Sequence, residues 1–161
     1  MTIPRPQIYL AAPLFNDRER QFNIQLAHTL EEHACVFLPQ RNGALLSELV
    51  ALGVPGPAAE RRVFDQDVAA MSAADFLVAV LDGGHIDEGV AFEIGFMCAL
   101  GRVCIGLQTD IRRALPTGNN PMISQGLNEV CRSVGELIGR VESHVRAGAL
   151  VHRRQNGRRH A

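Results

Sequence analysis

Four short apolar runs, QIYLA (7–11), CVFL (35–38), FLVAVL (76–81) and VCIGL (103–107), end near turn or polar residues and are separated by longer segments of helical periodicity. This alternation is the tightest constraint on the fold. Continuous apolar runs suit parallel strands buried on both faces. The helical segments are residues 17–33, a stretch ending near Ala74, residues 88–100 and residues 134–145. Strand and helix in turn predict an α/β fold: one doubly wound parallel sheet, flavodoxin-like or Rossmann-like, of about five strands with helices on both faces. At 161 residues the chain fits one domain whose core needs no disulfides. The domain is expected over residues 1–150, followed by a basic, disordered tail over 151–161, and GVPGP (53–57) reads as an irregular surface connection.

In such sheets a ligand sits beyond the carboxyl ends of the strands. The loops to inspect are therefore residues 12–17, 39–62, 82–88 and 108–122. Sixteen basic against 17 acidic residues leave a net charge of -1, which offers no overall field for nucleic acid or an anionic membrane. A small uncharged partner fits better. The opening MTIPRPQIYLAAPL lacks the layout of a signal peptide, and no apolar run approaches the ~20 residues needed to span a bilayer, so the cytoplasm is the expected compartment. Cys35, Cys98, Cys104 and Cys131 have no metal-ligand spacing and lie in or beside apolar stretches. They read as small buried hydrophobes in a reducing compartment.

Within GVAFEIGFMCALG (89–101) Glu93 is the only charged residue, flanked by Phe92, Ile94 and Phe96. A helix so apolar is expected to be largely buried. A buried carboxylate without partners costs several kcal/mol or more, so Glu93 either pairs with a distant cation or faces a cavity. Its helical neighbours Gly89, Val90, Phe96 and Met97 offer no cation. Upstream, Asp82-Gly83-Gly84-His85-Ile86-Asp87-Glu88 joins the third strand to that helix. Asp87 can cap the helix, or it can join Asp82 and Glu93 in an acidic strand end suited to sugar hydroxyls and poorly suited to phosphate. His85 reads as a solvated loop residue, with no serine or cysteine motif to make a triad. The first strand is followed by AAPLFNDRER, without GxGxxG, and no P-loop is present.

These residues resemble the nucleoside 2-deoxyribosyltransferases. The likeness rests on Tyr9-Leu-Ala-Ala-Pro-Leu-Phe15, on Asp67 ahead of Asp75, on Asp87-x-Gly89-x-Ala-x-Glu93-x-Gly95, and on Asn120-Pro-Met122, with DEGVAFEIG the most specific block. The resemblance implies exchange of the base on a 2'-deoxyribonucleoside. Glu93 would be the nucleophile at C1', forming a covalent deoxyribosyl-enzyme that a second base resolves with retention. Tyr9, otherwise an ordinary core aromatic, would orient Glu93. Asp67, otherwise a polar residue at a helix end, would bond the base and protonate the departing nitrogen. Asp87 would hold the sugar 5'-hydroxyl together with Asn120, which in the family comes with Met122 from a neighbouring subunit. Phe15 and Gly89, inside the matching blocks, would also contact substrate. The partners implied are deoxyribonucleosides, free bases and further copies of the chain; no cofactor or metal is implied. Two departures stand out: Ala11-Ala12-Pro13 replaces the glycine that often precedes this proline, and the tail is arginine-rich.

Three other readings fit parts of the pattern. An N-glycosidase would use the same nucleophile and let water resolve the intermediate. A non-catalytic nucleoside sensor would need no nucleophile. A flavin module of flavodoxin type would put phosphate against the acidic third loop, which opposes it.

Overall fold

In a computed structural model, which describes residues 5–112 and 118–157 and their side chains up to 147, five parallel strands form one sheet in the order β2-β1-β3-β4-β5. The strands are β1 (Gln7–Ala11), β2 (Cys35–Phe37), β3 (Phe76–Val80), β4 (Val103–Leu107) and β5 (Glu129–Cys131). This is the flavodoxin-like order, with its switch point between β1 and β3. Alternation along the strands sends Ile8, Leu10, Val78, Val80, Ile105 and Leu107 into one core and Tyr9, Ala11, Leu77, Ala79, Leu81 and Cys104 into the other. Helices α1 (Asp17–Leu30) and α7 (Val134–Gly157) cover the first through Leu26, Leu30, Leu137 and Val141. Helices α4 (Gly56–Ala73), α5 (Glu88–Ala99) and α6 (Pro121–Gly126) cover the second through Met71, Val90, Ile94, Met97 and Ile123. The doubly wound sheet predicted from the alternation is the observed one.

Helix ends follow local chemistry. Asn16 and Glu19 make a reciprocal capping box at α1, satisfying amides that have no partner inside the helix. Asp87 caps α5 by accepting from Val90 N at 3.1 Å. After β3 the chain turns at Gly83, whose φ of 120° is open to glycine and strained for other residues.

Several expectations need correction. Residues 39–62 form little loop: α2 (Pro39–Asn42), α3 (Leu46–Ala51) and the first turn of α4 occupy most of them. Gly56 and Pro57, expected in an irregular connection, open α4, because a proline in a helix's first turn forfeits no internal bond. Asp67 consequently lies inside α4, not at a helix end. Helix α5 is not largely buried. Only Val90, Ile94 and Met97 are enclosed, whereas Phe92 is 50% and Leu100 47% exposed, since the sheet covers just one stripe of a helix that is apolar all round. Cys104 and Cys131 are buried, but Cys35 and Cys98 are exposed: Cys35 opens an edge strand and Cys98 faces away from the sheet on α5. Helix α7 runs past residue 145, so the backbone of 152–157 continues it; no strong breaker intervenes before Gly157. The end of the tail, 158–161, lies outside the described residues. Among the described residues no helix is long and apolar enough to cross a membrane.

Candidate active site

Tyr9, in the middle of β1, is fully buried and points to the α4–α5 side of the sheet. Its ring stacks on Phe37 of the neighbouring strand, with centroids 5.6 Å apart. Its hydroxyl donates to Glu93 Oε1 at 2.6 Å. Residues 84 positions apart meet because α5 leaves β3, and β3 pairs directly with β1. Glu93 thus has one oxygen held and the other available. The cation partner considered from the sequence is not found: the described residues pair Glu93 with Tyr9 alone.

The electrostatics are those of carboxyls drawn out of water. Burial pushes the Glu93 carboxyl up to about 7; the Tyr9 hydrogen bond works against this, and the negative charges of Asp67 and Asp87 add to it. Asp67 is raised to about 6 by desolvation. Burial and the Glu93 charge push the Tyr9 phenol upward, so it stays a donor. Perturbed carboxyls gathered at one cavity are the mark of a functional site.

That cavity, of about 400 Å³, lies between α4 and α5. Asp67, Gly89 and Glu93 line it, with Phe64 and Phe92, whose rings are 6.0 Å apart, on its wall. Phe64 was not singled out from the sequence, and Phe92 was named there only as a neighbour of Glu93; an aromatic pair contributed by two helices leaves no periodic signal in either. Asp87, at the start of α5, is not among the lining residues; its Oδ1 is engaged by the helix cap and its Oδ2 has no hydrogen bond among the described residues. A Cβ on Gly89 would stand 3.0 Å from Asp87 Oδ1, so glycine keeps that carboxylate in place.

The other residues do not converge here. Asn120 and Met122 line a second cavity of about 600 Å³ with Gly83, Gly84 and Gln108. Asn120, expected to hold the sugar with Asp87, caps α6 through its Oδ1, and Met122 is 81% exposed. Phe15 is 73% exposed at the start of α1 and lines neither cavity. His85 is exposed on its loop. Asp82 is not available to a sugar: it accepts from Thr109 N at 2.6 Å, Thr109 Oγ1 at 2.5 Å and Asp110 N at 2.8 Å, tying the loops after β3 and β4 together. Nor is that region purely acidic, because Arg112 pairs with Asp110 and reaches the second cavity. Among the described residues no group of three or more His, Cys, Asp or Glu side chains could hold a metal ion.

Fold and geometry define a class: a flavodoxin-like α/β protein with a tyrosine-bonded carboxylate at the floor of an aromatic-walled cavity. Residues 8–155 match the family described as nucleoside 2-deoxyribosyltransferase, and the chain belongs to it. No curated protein matches the sequence significantly. Among solved structures, a conserved protein from Enterococcus faecalis V583 is 26% identical, with TM-score 0.65 over 87% of this chain and 99% of that one. A 2-deoxyribosyltransferase from Bacillus psychrosaccharolyticus is 22% identical, with TM-score 0.67 over 82% and 90%. The CMP N-glycosidase of Clostridium botulinum is 17% identical, with TM-score 0.54 over 84% and 98%; at such identity the last two likenesses speak for the fold.

Proposed function

We propose that the protein transfers the 2-deoxyribosyl group of a 2'-deoxyribonucleoside to another purine or pyrimidine base, through a covalent Glu93 intermediate and with retention. The observation that supports this most is the Tyr9–Glu93 hydrogen bond beside a cavity that also contains Asp67. Tyr9 stabilises the ionised form of Glu93 and leaves Oε2 free to attack. Attack forms an ester bond from Glu93 to C1' and breaks the bond from C1' to the base nitrogen, which takes the Asp67 proton. A second base then attacks C1' from the face the first one left. The ester breaks, Glu93 recovers its electron pair, and Asp67 takes the proton released by the incoming base. Two inversions give net retention.

Asp87 Oδ2 is the proposed acceptor for the 5'-hydroxyl. A carboxylate there repels a 5'-phosphate, which favours a nucleoside over a nucleotide. Asn120 and Met122 face a different cavity in the single chain, so their part in substrate binding is proposed to come from a second copy. The exposed faces of Phe15, Phe92 and Met122 are apolar surface that such a copy would cover.

Hydrolysis is the second reading, favoured by the half-exposed Phe92 at the cavity wall, which leaves a water path in the single chain. One experiment addresses both. A deoxynucleoside is incubated with and without an acceptor base, and the products are separated. Transfer predicts a new nucleoside that depends on the acceptor, a sugar adduct on the Glu93 peptide in mass spectra, and no exchange in Glu93→Ala. Free sugar released at equal rates in both tubes would overturn transfer in favour of hydrolysis.

A further inference from the structure

The cavity beside Glu93 has an unusual lining. Its polar side chains are Glu60, Asp67 and Glu93, and every other lining residue is hydrocarbon, aromatic, thioether or glycine. Among the described residues, then, no lining side chain has a permanent N–H or O–H donor; an ionised carboxylate only accepts. Glu60 and Asp67 recur along one face of α4 with Phe64 between them. Glu60 lines the cavity, is exposed, and has no hydrogen bond or ion pair among the described residues. The nearest cation in sequence, Arg61, is engaged by other groups, 5.7 Å from the Phe64 ring centroid and 3.6 Å from Asp65, and is not among the lining residues.

Resting on the reading of this cavity as the base site, we infer that it selects bases presenting an amino group, namely adenine, guanine and cytosine, over their oxo counterparts, with Glu60 as the specificity-determining residue. A flat ring placed against Phe64 and Phe92 has its edge toward α4. An exocyclic amino group there donates to a carboxylate, and a charge-assisted bond of this kind is stronger than a neutral one. Uracil, thymine and hypoxanthine turn a carbonyl oxygen to the same acceptors. Their ring N–H in that region stands beside one carbonyl in hypoxanthine and between two in uracil and thymine, and a carboxylate repels those oxygens. The same logic turns away anionic ligands from this end of the cavity.

Calorimetric titration of the intact protein with free bases tests the inference without any turnover. At about pH 8, above the raised values of Asp67 and Glu93, cytosine binds about tenfold more tightly than uracil, and adenine than hypoxanthine, one charge-assisted hydrogen bond being worth about that factor. Glu60→Gln, which adds an amide donor at an exposed position, draws each pair to within about threefold. Glu60→Ala weakens the amino bases without improving the oxo bases. Equal affinity within the pairs, or a preference untouched by Glu60→Gln, overturns the inference. The transfer reading fails by a separate result, absence of exchange with every base, and the binding preference stays measurable in that case.

Discussion

Glu93 combines a functional and a structural liability, and the two are separable by pH. Its carboxyl is raised from 4.5 to about 7, so between these values the folded chain holds a proton that the unfolded chain has released. The sign follows: the contribution of Glu93 to stability is fully present below about pH 4.5 and is lost as pH rises through about 7, by an amount of order 3 kcal/mol. Glu93→Gln removes the penalty. It should unfold at a higher temperature than the parent above pH 7, with a flatter dependence of melting temperature on pH, while losing exchange altogether. The proposed mechanism needs Glu93 ionised and Asp67 protonated. With the two raised to about 7 and about 6, kcat/KM should be a narrow bell with limbs near these values. Tyr9→Phe removes the bond that lowers the Glu93 value, so its limb moves to higher pH; a profile unchanged in that variant would remove Tyr9 from the mechanism.

The loops after β3 and β4 are held by Asp82, whose carboxylate accepts three hydrogen bonds from Thr109 and Asp110. Asp82→Ala should cost about 2 kcal/mol in urea denaturation and leave KM for the nucleoside nearly unchanged, because Asp82 does not line the Glu93 cavity. A large rise in KM with stability intact would return Asp82 to the sugar-binding role that its place in the sequence suggests. Element by element, the strands were legible where they are long and apolar. Strand β5, only Glu129–Cys131 with a charged first residue, carries no such run, and the short helices α2 and α3 lack the length for periodicity to register.

In the whole molecule the cavity with Glu93 and the cavity with Asn120 are distinct, and α5 leaves Phe92 and Leu100 in solvent. The proposed closed assembly of identical chains would account for both features. Sedimentation should give a mass that is a multiple of 17.5 kDa. Glu93→Ala and Asn120→Ala should each lose activity alone. Co-expressed, they should regain about a quarter of it in a two-fold assembly, since half the random pairs contain one intact shared site of two. Absence of any recovery would mean that Asn120 serves the Glu93 of its own chain.

The order of strands and helices, and the oddness of Glu93, could be read along the chain, because hydrophobic period and a lone charge in an apolar helix are local properties. The sheet order brought Tyr9 to Glu93 and Asp67 to the same cavity, and it set Phe64 against Phe92. It also withdrew Asp82 from the site and separated Asn120 from Glu93 within one chain. Those outcomes depend on which distant segments become neighbours, and that is decided by packing across the sheet rather than by any sequence window. Glu93 was conspicuous from the start; its hydrogen bond, its raised pKa and the walls around it exist only in three dimensions.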